Sequence, residues 1–296
     1  MQVVQFGLGV MGLPMARTLH GAKSIELLAT DTVETAREAF AMAGGSVTTP
    51  DAVDVGSADV VLTMLPQGDH VGAVHDAIRG GLGEGAVLLD CSTIDVETTR
   101  QLAARARAGG VEMVDAPVSG GPEGAAAGTL SFMVGGSDPA IEQVRPLFDI
   151  LGARVTVFGN TAMGQAAKAC HNMIVGITGL AVFEGFALAD ALGLDAEAFH
   201  RLCSGAAAAC WTLDNRCPVP GVVDAAPSSN DYEPGFAARL MAKDLGLAQA
   251  AAESVHLDTP LGREAAARFA EFVADGNGHL DYSAVYRTLR SGDSHE

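Results

Sequence analysis

Lysine is nearly missing from this chain. Of its 18 basic residues only Lys23, Lys168 and Lys243 are lysine, so arginine fills almost every position where positive charge alone is enough. Arginine keeps its proton in a protein, whereas lysine can release it and act as acid or base. Where this chain retains lysine, proton transfer is a candidate reason. Paired cysteines are lacking too: Cys91, Cys170, Cys203, Cys210 and Cys217 form no CxxC pair and are odd in number. Neither a zinc site nor a disulfide framework is supported, and reduced thiols in a cytoplasmic protein are expected. No basic tract offsets the net charge of −18, which argues against nucleic acid or an anionic membrane as partner. The longest uncharged apolar run starts at Met173 and meets Glu184 after eleven residues, too few to span a bilayer. No signal-type run precedes the first strand pattern, Gln2 to Phe6, and no targeting segment is expected.

The chain's 296 residues predict one large domain or two smaller ones. Gln2 to Phe6 reads as a buried strand, followed by Gly7-Leu8-Gly9-Val10-Met11-Gly12 and a helix through Met15, Ala16 and Leu19. This is G-x-G-x-x-G in the setting a dinucleotide requires, strand before and helix after. The free N–H groups of the helix start would face a pyrophosphate. A second strand, Ile25 to Ala29, leads to Asp31, whose carboxylate can bond ribose hydroxyls and would repel a 2′-phosphate. No arginine is adjacent in sequence, so NAD is expected over NADP.

Strands and helices then alternate. Strands are predicted at Asp59–Leu65, Ala86–Asp90, Val111–Pro117, Leu130–Val134 and Val155–Phe158, with helices at His70–Leu82, Val96–Ala108 and Asp138–Leu151. The rhythm implies an α/β fold, a mostly parallel, doubly wound Rossmann-type sheet wrapped by helices. Ligands bind beyond the carboxyl ends of such strands, where Leu65, Pro66 and Thr93 read either as cofactor contacts or as ordinary loop residues. Ser119-Gly120-Gly121 can offer successive N–H groups and a hydroxyl to an anion, a small carboxylate for example; it also reads as a simple Gly/Pro turn.

From Gly164 to Leu192 there is no proline, and one helix roughly 40 Å long is predicted, enough to leave one domain and enter another. Its second half is apolar nearly all round, which predicts burial, and Gly176, Gly179 and Gly185 suggest close approach of another backbone. Lys168 and Asn172 are one turn apart on one face. They read as a reactive pair, or as a lysine reaching water beside a satisfied core amide. Beyond Gly193 the sequence reads as helices (Asp195–Cys203, Phe236–Ser254, Leu261–Ala274, Tyr282–Leu289) around the loop Asn215–Pro234. The predicted domains are 1–161, binding NAD, and 162–296, all-α and serving substrate binding and oligomerisation, with the site in the cleft between them.

Four ordered segments, GLGVMGLPMA at 7–16, DAPVSGGPEGAAAGTLSFMVGG at 115–136, GQAAKACHNM at 164–173 and NDYEPGFAARLMAKDLGLAQ at 230–249, make the chain resemble the β-hydroxyacid dehydrogenase family over essentially its whole length. The resemblance implies Lys168 as catalytic acid/base, Asn172 holding the substrate, Ser119, Gly120 and Gly121 binding its carboxylate, and Lys243 bordering cofactor and substrate. SFMVGG, Cys210-Trp211 and Pro218-Val219-Pro220-Gly221 favour the branch acting on 3-hydroxyisobutyrate, in valine breakdown, with homodimers or homotetramers implied. Rival readings are reduction of tartronate, succinate or malonate semialdehyde and a non-catalytic NAD-binding scaffold; the scaffold predicts loss of a lysine and an anion turn that are both present. Two residues depart from the family pattern: His171 stands where an asparagine is common, and Ala162 where a glycine is. For the reaction, Lys168 must shed its proton, which burial and a nearby charge such as Lys243 promote. Asp244 either orients the pair or forms a surface ion pair, and Trp211 and Phe236 either wall the substrate pocket or pack in the core or loop.

Overall fold

Successive residues of a strand face opposite sides of a sheet, and the first half of the chain uses this to build two cores. In the computed structural model, which describes residues 1–289, the chain forms two units, Met1–Lys168 and the part from Ala169 onward. The first contains strands β1 (Gln2–Phe6), β2 (Glu26–Thr30), β3 (Ser46–Thr48), β4 (Val60–Thr63), β5 (Val87–Asp90), β6 (Glu112–Asp115), β7 (Val118–Ser119), β8 (Leu130–Gly135) and β9 (Gly152–Gly159). Its helices are α1 (Gly12–His20), α2 (Glu34–Ala41), α3 (Gly68–Ile78), α4 (Val96–Ala108), α5 (Gly121–Ala127) and α6 (Asp138–Leu151). Val3, Val60, Leu62, Val87 and Leu89 pack with α1 and α6 on one face. Val4, Val61 and Leu88 pack with α3 and α4 on the other. Both faces are therefore dry and covered, as a doubly wound sheet requires.

The strand order is β3-β2-β1-β4-β5-β6-β8-β7, with β9 added to β8. Pairing is parallel from β3 to β6, while β8 runs antiparallel to β6 and β7. The strand predicted to run from Val111 to Pro117 ends at Asp115 and resumes as β7, because Pro117 has no N–H for a ladder. Helix α2 and strand β3 went unread because α2 buries only Phe40 and so shows no apolar stripe.

Helix α7 (Met163–Ala191) begins in the first unit and continues into the second. The second unit adds α8 (Ala196–Ser204), α9 (Trp211–Asn215), α10 (Ala238–Ser254) and α11 (Pro260–Phe272), with a closing 3-10 segment Tyr282–Thr288. Its core gathers Phe183, Phe186, Met241, Leu245, Phe269 and Tyr282, and the Tyr282 ring has Phe183, Phe236 and Phe269 centroids 5.8 to 6.1 Å away. The expected burial of α7 on all sides is not observed. Phe183 and Phe186 are inside, but Ile174 and Leu188, and Leu192 just beyond the helix end, are 62–68% exposed, because this core meets one stripe of the helix only. Of the three glycines in its apolar half, the close approaches at Gly176 and Gly179 are to side chains rather than backbone. Leu245 lies against Gly176 and Tyr282 against Gly179, while nothing stands within 4 Å of a Cβ built at Gly185. By length and composition α7 is long and apolar enough to cross a membrane, although the uncharged run read from sequence is short, and a third of its most apolar stretch is buried within the chain.

Candidate active site

The turn after β1 is shaped by its glycines. Gly7 has φ +102°, and a Cβ at Gly12 would collide with the Gly7 carbonyl, whereas one at Gly9 would meet nothing within 4 Å. The loop is tight underneath and open above, as a backbone that must approach a ligand needs. Met11 at the cap of α1 makes no side-chain bond to the first turn, so the residues present fit a dinucleotide phosphate at that helix start. The Gln5 amide braces the loop through the carbonyls of Gly7 (3.0 Å) and Gly12 (2.7 Å). Asp31 is tied into the same turn: its carboxylate accepts from Leu8 N at 2.7 Å and Val33 N at 2.8 Å. An arginine is near after all, since Arg37, six residues further on, donates to the Asp31 carbonyl at 2.6 Å. Its guanidinium serves the main chain, leaving the carboxylate of Asp31 as the group able to meet a ribose.

Leu65, Pro66 and Thr93 lie in the loops just after β4 and β5. Ser92 joins these loops by accepting from Leu65 N at 2.9 Å. Gln165, 1% exposed, connects the second loop to α7, donating to Ser92 O at 2.7 Å and accepting from Ile94 N at 3.2 Å. Asp115 fixes the start of the same helix by accepting from Ala162 N at 2.6 Å and Gln165 N at 2.8 Å. Burial pushes the Asp115 carboxyl up to about 7, with Asp90 adding to the shift and the backbone N–H bonds opposing it. Neither Asp115 nor Gln165 was singled out from sequence, although both fall inside the motif segments; what they bond to lies far away along the chain.

Lys168 does not reach water. It is 7% exposed, and its Nζ donates to Val118 O at 2.8 Å. The next residues are Ser119, at the end of β7, and then Gly120 and Gly121, with φ +138° and +68°. Gly120 caps α5 with no side-chain bond, so the two glycines turn the chain in a way L-residues resist and present the start of a helix. The buried amine and the anion turn proposed from sequence thus meet at one place.

In the second unit, Asn172 is 3% exposed and its Nδ2 donates to Asp244 Oδ2. Lys243 Nζ stands 3.4 Å from Asp244 Oδ1. Asp244 is 4% exposed, which overturns the alternative of a surface ion pair. Trp211 is 57% exposed and stacks on Arg216, whose guanidinium carbon is 5.2 Å from the ring centroid, so it is not a core residue. Phe236 is half-buried beside Tyr282, and its N–H is fixed by the buried Asp281 carboxylate at 3.0 Å. A cavity of about 500 Å³ in the first unit, lined by Phe6, Asp51, Val53, Val74 and Ala77 among others, touches none of the residues proposed from sequence. It follows the short turn Pro50–Ala52 that stands between β3 and β4 in place of a full helix.

Residues 2–159 match the family model described as the NAD binding domain of 6-phosphogluconate dehydrogenase, and 162–289 that described as NAD-binding of NADP-dependent 3-hydroxyisobutyrate dehydrogenase. A probable 3-hydroxyisobutyrate dehydrogenase of Mycobacterium tuberculosis is 41% identical over 285 residues, 96% of each chain. An NAD-dependent L-serine dehydrogenase of Pseudomonas aeruginosa is 40% identical over 289 residues, 97% of each. A solved structure of Mycobacterium tuberculosis 3-hydroxyisobutyrate dehydrogenase with L-serine superposes with a TM-score of 0.92 at 40% identity, covering 98% of this chain and 99% of that one.

Proposed function

Because the chain belongs to the 3-hydroxyisobutyrate dehydrogenase family of NAD-dependent oxidoreductases, we propose that it oxidises 3-hydroxyisobutyrate to methylmalonate semialdehyde in valine breakdown, with Lys168 as general acid/base. When bound, NAD would supply the hydride acceptor, and the turn Gly7 to Gly12, Asp31, Leu65, Pro66, Thr93 and Lys243 would hold it. The Ser119 hydroxyl and the N–H groups of Gly120 and Gly121 take the substrate carboxylate, and Asn172, Lys243 and Asp244 hold its other polar atoms. Trp211 and Phe236 wall the pocket. Lys168 removes the hydroxyl proton as the C–H hydrogen leaves with its electron pair, so the carbinol carbon becomes an aldehyde.

The observation that carries this reading is the Lys168 Nζ bond to Val118 O, 2.8 Å long and buried, one residue from the anion turn. A carbonyl accepts from an ammonium and from a neutral amine alike. That contact can therefore hold the amine in place before and after it takes the proton. The exposed apolar residues Ile174, Leu188 and Leu192 support a homodimer or homotetramer, and the reading includes a cytoplasmic enzyme. L-serine is a second candidate substrate, favoured by the P. aeruginosa relative named for it and by the related structure that contains it; it carries an amine where 3-hydroxyisobutyrate carries a methyl. Lys168→Met, which keeps the buried chain length, should lower kcat by about 10²- to 10⁴-fold while NADH binds within about twofold of wild type. Unchanged turnover would remove Lys168 from the reaction.

A further inference from the structure

His171 is the residue by which this sequence departs from the family pattern next to Asn172, and the structure gives it a defined partner. Its Nδ1 lies 2.9 Å from Asn172 Oδ1. The orientation of the Asn172 amide is not arbitrary. Its other end meets the Asp244 carboxylate, which only accepts, so the NH₂ group must face Asp244 and the oxygen must face His171. Two acceptors cannot share a 2.9 Å contact; the proton of His171 therefore sits on Nδ1. The amide is held at both ends, in a chain that runs from His171 through Asn172 and Asp244 to Lys243.

We infer that His171 is a positioning residue for Asn172, fixing by its Nδ1–H the rotation of the amide that meets the substrate. A single bond to Asp244 would leave the amide free to swing about that contact. The second bond fixes its plane, so the remaining N–H and lone pair keep constant directions. An asparagine at 171 also carries an N–H donor, which explains how the family pattern and this sequence can serve the same end with different side chains. The inference rests on the substrate role of Asn172 proposed above.

The test uses the full-length enzyme and three variants. His171→Phe keeps a ring and removes the donor; it should raise KM for the hydroxy acid about three- to tenfold, the loss expected for one neutral hydrogen bond, with kcat and NADH affinity within about twofold of wild type. His171→Asn should restore KM to within about twofold of wild type. Long-range ¹⁵N–¹H correlation spectra of wild type should show the His171 proton on Nδ1, a readout independent of turnover. A proton on Nε2, or an unchanged KM in His171→Phe, would overturn the inference. If Asn172→Ala raises KM and His171→Phe does not, only the positioning role falls. If neither variant moves KM, the substrate role of Asn172 falls with it.

Discussion

Asp115 is fully buried, and its carboxyl is pushed up to about 7 from an ordinary 3.8, chiefly by that burial. Between those two values the folded chain holds a proton that the unfolded chain has lost. Stability therefore falls as pH rises from about 4 to about 7 and is flat above that as far as this group is concerned. Wild type and Asp115→Asn compared by urea unfolding across that window should show a wild-type advantage that shrinks with rising pH, by roughly 2 to 4 kcal/mol at most; a constant difference would contradict the assignment. How much of the site could be read in advance also divides residue by residue. Lys168 and Asn172 stood out by spacing and by the scarcity of lysine, and Gly7 to Gly12 by a motif in its proper setting. Asp115 and Gln165 did not, because their importance lies in partners such as Ala162 and Ser92. Local sequence does not say which distant elements will meet.

Helix α7 carries Lys168 and Asn172, and its entry is built under strain. Ala162, just before it, has φ +79° with its N–H held by Asp115, a conformation that glycine adopts freely and alanine resists. This gives the glycine expected there a physical reason. Ala162→Gly should raise the unfolding free energy by about 0.5 to 1 kcal/mol, the relieved strain exceeding the added freedom of the unfolded chain; a loss of stability in urea titration would mean that the strain is compensated elsewhere. The helix itself was legible from its composition, with bounds within a residue of those predicted. Its exposure was not, since apolar residues all round a helix state that each side wants cover without stating what provides it. The helix predicted at Phe236 begins at Ala238, because Asp281 holds the main chain of Gly235 and Phe236 outside it. The helix predicted over Tyr282–Leu289 is a 3-10 segment at Tyr282–Thr288, a distinction of hydrogen-bond spacing that side-chain pattern does not reveal.

Across the whole molecule a net charge of −18 opposes the approach of an anionic hydroxy acid and of NAD alike, so their capture must come from local donors. The glycine turns, with Lys168 and Lys243, are where the sequence can provide them. The α/β-then-α order was legible because strand and helix alternate until Phe158 and strand signals then fade. Substrate identity is decided by the few side chains around the reacting carbon, and the motifs do not encode their shape. The decisive measurement is NADH formation on (S)- and (R)-3-hydroxyisobutyrate, L-serine, glycerate, 3-hydroxypropionate and 4-hydroxybutyrate at mildly alkaline pH. One 3-hydroxyisobutyrate enantiomer should exceed every other compound in kcat/KM by at least about tenfold, roughly 1.4 kcal/mol. A higher kcat/KM for L-serine or glycerate would contradict the proposed substrate.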